Sequence, residues 1–185
     1  ILSCKKSDET PQPQSNNNGN GGSASNMSNF YAVNGVQSQT FTVNAGQYQF
    51  VSGSKGTQLV IPPNSFVTQN NVPVTGNVQI ELKEVFTKKD MILSGMIPVS
   101  SGNLLVSGGE IFIKATQNGQ TLKLSASAAV SAAVPAGLNP SQQMMEFYAD
   151  QITALDSGGW VGNNDSIAVQ QDTISGTNAY YYYFQ

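Results

Sequence analysis

Histidine and arginine are absent from all 185 residues, and cysteine occurs once. Bidentate phosphate recognition falls mainly to arginine and proton transfer near neutral pH mainly to histidine, so nucleic acid is not an expected partner. No Ser-His-Asp triad, Cys-His pair or HExxH metal site can be assembled, and a lone cysteine makes neither a disulfide framework nor a zinc cluster. Charge is scarce as well: eight lysines and eleven carboxylates leave a net charge of −3, so the surface must be polar mainly through Asn, Gln, Ser and Thr. Catalysis would have to rest on carboxylates, lysine or tyrosine alone. The chain is therefore read as non-enzymatic, with no cofactor and no metal.

What the sequence does contain is alternation. From Val78 to Phe86, Val78, Ile80 and Leu82 face one way and Gln79, Glu81 and Lys83 the other, which marks a strand with one dry face. Phe41 and Val43, then Tyr48 and Phe50, repeat the period around Asn44-Ala45-Gly46, which predicts a hairpin with strands over 38–43 and 47–51. Thr57–Ile61 reads as a strand stopped by Pro62-Pro63, neither of which has an N–H to donate. Ile111, Ile113 and Ala115 alternate before Asn118-Gly119, a strong hairpin signal, and Leu122, Leu124, Val130, Ala132 and Val134 follow in the same manner. Short strands at regular intervals and no long helical period indicate an all-β fold, a sandwich or barrel. A domain of this size can bury about 70% of the surface its unfolded chain exposes, enough for a real core.

Beyond the turn at Pro135–Pro140, Met144–Ala149 suits either a helix capped by Ser141 or a strand. The strand is preferred because Asp156–Gly159 would then turn the chain into Trp160-Val161 as its returning partner. Gly162–Asp165 reads as a loop, and Tyr180–Phe184 as a strongly β-forming run on which the sequence stops, as though another strand or domain followed.

The first four residues, Ile1-Leu2-Ser3-Cys4, resemble the lipobox of bacterial lipoproteins, in which the cysteine is cleaved and acylated. The resemblance implies that Cys4 is a lipidation site and that the membrane, the outer membrane of a diderm bacterium, is a partner through a lipid anchor. Lys5–Glu9 resembles the charged stretch that follows the cysteine of surface-displayed lipoproteins. From Thr10 to about Asn29 the composition is Asn, Gly, Ser, Gln and Pro with almost nothing apolar, which predicts a disordered tether with a reach of roughly 25–30 Å.

Gly56-Thr57-Gln58-Leu59-Val60-Ile61-Pro62-Pro63-Asn64-Ser65-Phe66 is similar to the opening of ZU5 domains, with Ser65 standing where a small residue such as Ala is usual. Looser similarity continues through Val72–Gly76, Val78–Glu84, Asp90–Leu93 and Ser107–Ala115. The resemblance implies a β-sandwich used for protein contact or as a rigid spacer. The self-cleavage of some ZU5 proteins at a His-Phe-Ser motif does not carry over, because there is no histidine. The expected organisation is a lipobox remnant over 1–4, a tether over 5–30, a ZU5-like β-sandwich over 31–135 and a β-rich extension over 136–185.

Three constellations stand out as candidate sites. Trp160 with Tyr181 and Tyr183 could form an aromatic platform for a glycan; the plainer reading is core packing. Glu81, Glu84, Asp90 and Glu110 would have to supply a pair about 5 Å or 6.5–9.5 Å apart for a glycosidase, and Glu81 and Glu84 face opposite sides of a regular strand. Asp156, Asn163, Asn164 and Asp165 offer oxygen ligands but not the spacing of a calcium loop. The expected function is a surface lipoprotein carrying a protein-interaction, adhesion or scaffold module, the alternatives being a glycan-binding accessory protein and, less favoured, a carboxylate hydrolase.

Overall fold

The computed structural model describes residues 23–136, 144–148, 160–166, 168–174 and 177–184. In chain order the elements are α1 (Ser23–Asn34), β1 (Gln39–Asn44), β2 (Gln49–Ser52), β3 (Gln58–Ile61), β4 (Phe66–Val67), β5 (Asn77–Val85), α2 (Lys88–Ser94), β6 (Val99–Ser100), β7 (Asn103–Leu104), β8 (Glu110–Gln117), β9 (Gln120–Thr121), β10 (Lys123–Leu124), β11 (Ser131–Pro135), β12 (Met145–Tyr148), β13 (Val161–Ser166), β14 (Ala168–Ile174) and β15 (Thr177–Phe184). The protein is all-β, and every strand pairing among the described residues is antiparallel.

Two large sheets carry the fold, one in the order β1-β5-β8-β9 and the other β14-β15-β11-β3-β2. One apolar cluster draws on both. Val43, Val78, Ile80 and Leu82 come from the first, and Val51, Leu59, Ile61, Ala132 and Val134 from the second. The alternating positions of β5 thus do what their period predicted, and Val78, Ile80 and Leu82 have no exposed surface. A second small cluster of Val85, Met91 and Met96 forms where α2 meets the end of β5.

The chain around Asn44-Ala45-Gly46 differs from the hairpin expected there. β1 pairs with β5 and β2 pairs with β3, so the two strands lie in different sheets. Ala45 is buried, its N–H donates to the Gly76 carbonyl and its own carbonyl accepts from Asn64 N–H. Those bonds stitch the turn to distant segments and make it a corner between sheets. The Pro62–Phe66 stretch is a second corner: Asn64 takes φ 62°, and buried Ser65 donates from Oγ to the Pro62 carbonyl at 2.7 Å.

The expected tether and extension also look different in the structure. Residues 23–34 are helical where the composition predicts disorder up to residue 30, and no amphipathic period announces that helix. α1 ends against α2, where Gly35 leaves no room for a Cβ, which would lie 2.6 Å from the Tyr31 carbonyl oxygen. β15 pairs with β11, which in turn pairs with β3, so β14 and β15 belong to the sheet that also holds β2 and β3, whereas β12 and β13 pair with each other in a two-stranded sheet. Gly162–Asp165, expected as a loop, falls within β13: Gly162 pairs with Phe147 and Ser166 with Met145, and the three residues between them have no register partner on β12 and form an irregularity in the pairing.

One buried carboxylate ties the sheets together. Glu84 follows Val78, Ile80 and Leu82 in parity, so β5 directs it inward, and none of its surface is exposed. Its Oε2 accepts from Gln39 Nε2 at 2.8 Å and from Lys55 N–H at 2.8 Å, and its Oε1 from Thr57 N–H at 2.9 Å. Burial alone would raise this carboxyl, but the donors from Lys55, Gln39 and Thr57 outweigh it and hold the pKa below the usual carboxylate range. A Cβ at Gly53 would lie 2.5 Å from Glu84 Cδ, so glycine is required there.

Glu84→Ala leaves these donors without an acceptor, at about 1–3 kcal/mol each. The midpoint of thermal unfolding should fall by roughly 2–4 °C per kcal/mol, and Gly53→Ala should lower it too. Because Glu84 is more acidic folded than unfolded, its contribution is complete above about pH 4.5 and lost as pH falls below that value. Glu84→Gln should therefore flatten the acid limb of the stability curve measured by denaturant titration.

Candidate binding cavity beside Trp160

A cavity of about 400 Å³ lies between the β6-β7 hairpin, β12 and the start of β8. Segments far apart in the sequence build it. Pro98, Leu105 and Val106 flank the β6-β7 hairpin, Met144, Met145 and Phe147 come from around β12, Val134 and Tyr182 from the second large sheet, and Glu110 opens β8. Trp160 completes the wall.

Local sequence explains how these pieces are held. Ser101 and Gly102 take positive φ of 48° and 78°, the tight reversal that closes the β6-β7 hairpin. Leu105 N–H then donates to the Pro98 carbonyl at 2.7 Å, and the main-chain N–H of Trp160 donates to the Val99 carbonyl at 3.3 Å, which ties the backbone at Trp160 to the same hairpin. β12 pairs with β13 through Tyr148 opposite Val161, the returning partner expected after a turn at 156–159. Gly108 allows close approach, since a Cβ there would lie 2.9 Å from the Tyr182 ring and 3.1 Å from Met144 Cε.

Glu110 is the one acidic group in the wall. It is 6% exposed, and neither carboxyl oxygen has a hydrogen-bond partner among the described residues. Burial pushes its carboxyl up to about 8, so at neutral pH it is a neutral acid. The other carboxylates weighed from the sequence are occupied structurally. Glu81 accepts from Ser38 Oγ at 2.6 Å, Glu84 holds the turn already described, and Asp90 pairs with Lys55 Nζ at 3.0 Å. The hydrogen bond from Lys55 is the main reason the Asp90 carboxyl is held below its ordinary value. Among the described residues no group of three or more Asp, Glu or Cys side chains is placed to hold a metal ion.

Of the aromatic residues named from the sequence, only Trp160 reaches the cavity. Tyr181 and Tyr183 share a face of β15, their ring centroids 6.5 Å apart, and Tyr182 between them faces the other way into the cavity wall. Trp160 therefore does not share a platform with Tyr181 and Tyr183. Counting alternation in the run Tyr180–Tyr183 separates the faces but does not say which one meets the cavity; the pairing of Tyr182 with Val134, a core residue, decides it. Cys4 and Asp156 lie outside the described residues, and Asn163, Asn164 and Asp165 are known only by their backbone in β13.

No family model, curated protein or solved structure matches this chain. Its function has to be argued from its own geometry.

Glu110 gives a direct handle on the site. Its folded pKa lies above the unfolded value of 4.5, so the folded state binds the proton more tightly, and its contribution to stability falls as pH rises from about 4.5 to about 8. The slope is at most about 1.4 kcal/mol per pH unit. Glu110→Gln should match the parent protein near pH 4.5 and exceed its stability above pH 8, as read from paired denaturation curves.

Proposed function

We propose that this chain is the folded part of a surface-anchored lipoprotein and acts as a non-catalytic protein-interaction, adhesion or scaffold module. The observation that carries this reading is the rim of the cavity beside Trp160. Val106 and Met145 line the cavity and remain 90% and 44% exposed, and Leu104, Tyr148 and Val161 nearby are exposed too. Large apolar groups gathered at an opening favour a binding surface over a bare exterior. The ZU5-like opening stretch supports the same reading, since Ile61 and Phe66 from it sit in the shared core and Pro62–Ser65 form the corner between them. Anchoring at Cys4 is the part of the proposal that rests on the lipobox resemblance alone.

A second reading, glycan binding, draws on the aromatic wall that Trp160, Phe147 and Tyr182 form together. The two differ in what they need from Trp160. A sugar would stack on the indole, whereas a protein partner would cover the rim.

Purified chain should recover a defined protein partner from an outer-membrane extract, and Val106→Glu should weaken that binding about 30-fold or more, the loss typical of a central interface residue. The unfolding midpoint should not change, because Val106 is solvent-exposed. Glycan-array binding abolished by Trp160→Ala, with no effect of Val106→Glu, would replace the first reading by the second. Metabolic labelling with a palmitate analogue, lost on Cys4→Ser in the native full-length protein, tests the anchor.

A further inference from the structure

The β8 edge has a gap in its pairing, and a trough lies beside it. On one side β8 pairs with β5 from Glu110 to Thr116. On the other side it pairs with β9 only at Thr116 and Gln117, through the Asn118-Gly119 reversal, with one further bond from Leu122 N–H to the Ala115 carbonyl at 2.9 Å. The chain then leaves, and Lys123 and Leu124 pair with β4 instead. In an antiparallel ladder alternate residues send both main-chain groups to the same neighbour. Ala115 sends its carbonyl toward β9, so Ile113 and Ile111 direct their N–H and C=O groups to the same side, where no described strand meets them.

A second cavity, of about 410 Å³, runs along this open edge. Its walls include Leu59, Ile61 and Phe66 from across the core, and Leu122 and Leu124 from the departing chain. Leu59, Ile61 and Phe66 are core residues, so the trough opens toward the space between the sheets. The sheets have other open edges at β1, β2 and β14, but neither described cavity is lined by a residue of those strands.

We infer that the β8 edge is a docking site for an extended polypeptide segment of a partner protein, added as a strand beside Ile111–Ile113. The main chain of a strand presents complementary donors and acceptors at the two-residue period of Ile111 and Ile113, about 6.6–6.8 Å, while its alternate side chains enter the apolar trough. A compact apolar ligand would fill the trough and leave those four main-chain groups unpaired. Lys114 and Lys123 also line the trough and form no ion pair among the described residues, so acidic residues between the apolar ones suit the solvent side of the added strand. This inference goes beyond the cavity beside Trp160 and does not depend on it.

The test is selection from a displayed library of short linear peptides, followed by amide exchange of the chain with and without an enriched peptide. Enriched sequences should alternate apolar with polar or acidic residues. The Ile111 and Ile113 amides, fast in the free chain beside those of Phe112 and Lys114, should become protected on binding. Ile113→Pro removes a donor that β5 does not use, a substitution edge strands tolerate, and should weaken binding about tenfold or more. Leu124→Lys, at an exposed position of the trough wall, should do the same without touching β8. Trp160→Ala should leave peptide binding unchanged, which separates this inference from the proposed function. Absence of any enriched peptide, protection of both amides in the free chain, binding indifferent to both substitutions, or pairing of this edge with a second copy of the chain would each overturn the inference.

Discussion

A carboxylate that has lost all its water must find hydrogen-bond donors inside the protein, and at Glu84 that requirement shapes the fold around it. β5 delivers the side chain inward at the end of a row of apolar residues, and the donors that meet it belong to other segments: Gln39 on β1 and the backbone of the turn between β2 and β3. Gln39 also accepts from Ser54 N–H, and Lys55 reaches from the same turn to Asp90 on α2. Fixing one side chain therefore fixes the β2-β3 turn of one sheet against β1 and β5 of the other. Apolar contact can hold two sheets together, but it is non-directional. The Glu84 contacts have direction, and they select one placement of the turn.

Glu110 is the contrast within the same molecule. Both carboxylates belong to the paired strands β5 and β8, both are buried, and their pKa values move in opposite directions because one has donors and the other has none. The protein accommodates Glu110 by keeping it neutral, at a cost in stability that grows as pH rises from about 4.5 to about 8 and is complete above that. A buried polar group with no partner serves no packing purpose that a leucine would not serve better. It lies in the wall of a cavity ringed by exposed apolar side chains, where it is the one carboxyl group among the lining residues.

Much of the architecture was legible from period alone. The run from Val78 to Leu82 fixes which face of β5 is dry, and Asn118-Gly119 fixes a reversal that the structure makes with φ of 49° and 77°; at Met144–Ala149 the period suited helix and strand alike, and the turn expected before Trp160-Val161 favoured the strand that β12 forms. Period does not say which strands pair. Asn44-Ala45-Gly46 has the composition of a hairpin loop, and only the long-range bonds of Ala45 to Gly76 and Asn64 make it a corner. α2 did carry a local signal, Thr87 capping the Asp90 N–H and Gly95 ending the helix at φ 67°, but a helix of seven residues is too short to register as a period. The cavity was partly legible. Trp160 stood out as a lone large aromatic, whereas Tyr182, Phe147 and Glu110 join it only through pairings that connect segments far apart in sequence.

β8 borders both openings in the structure, with Glu110 in the wall of one and Ile113 in the wall of the other. Its other flank is committed to β5 along nearly its whole length, so the strand is rigid where it meets either opening. Rigidity is what an added strand requires, since affinity from main-chain pairing is eroded by whatever ordering the receiving edge must undergo on binding. An edge left open beside an apolar trough is also a liability, because any extended chain can pair with it. The chain narrows that risk in two ways: β9 covers the far end of the edge, and Lys114 and Lys123 place positive charge along what remains open. Charge of one sign disfavours another edge of the same kind and leaves room for a partner of opposite sign. The same features that limit pairing with copies of itself would thus make the edge selective for a partner strand.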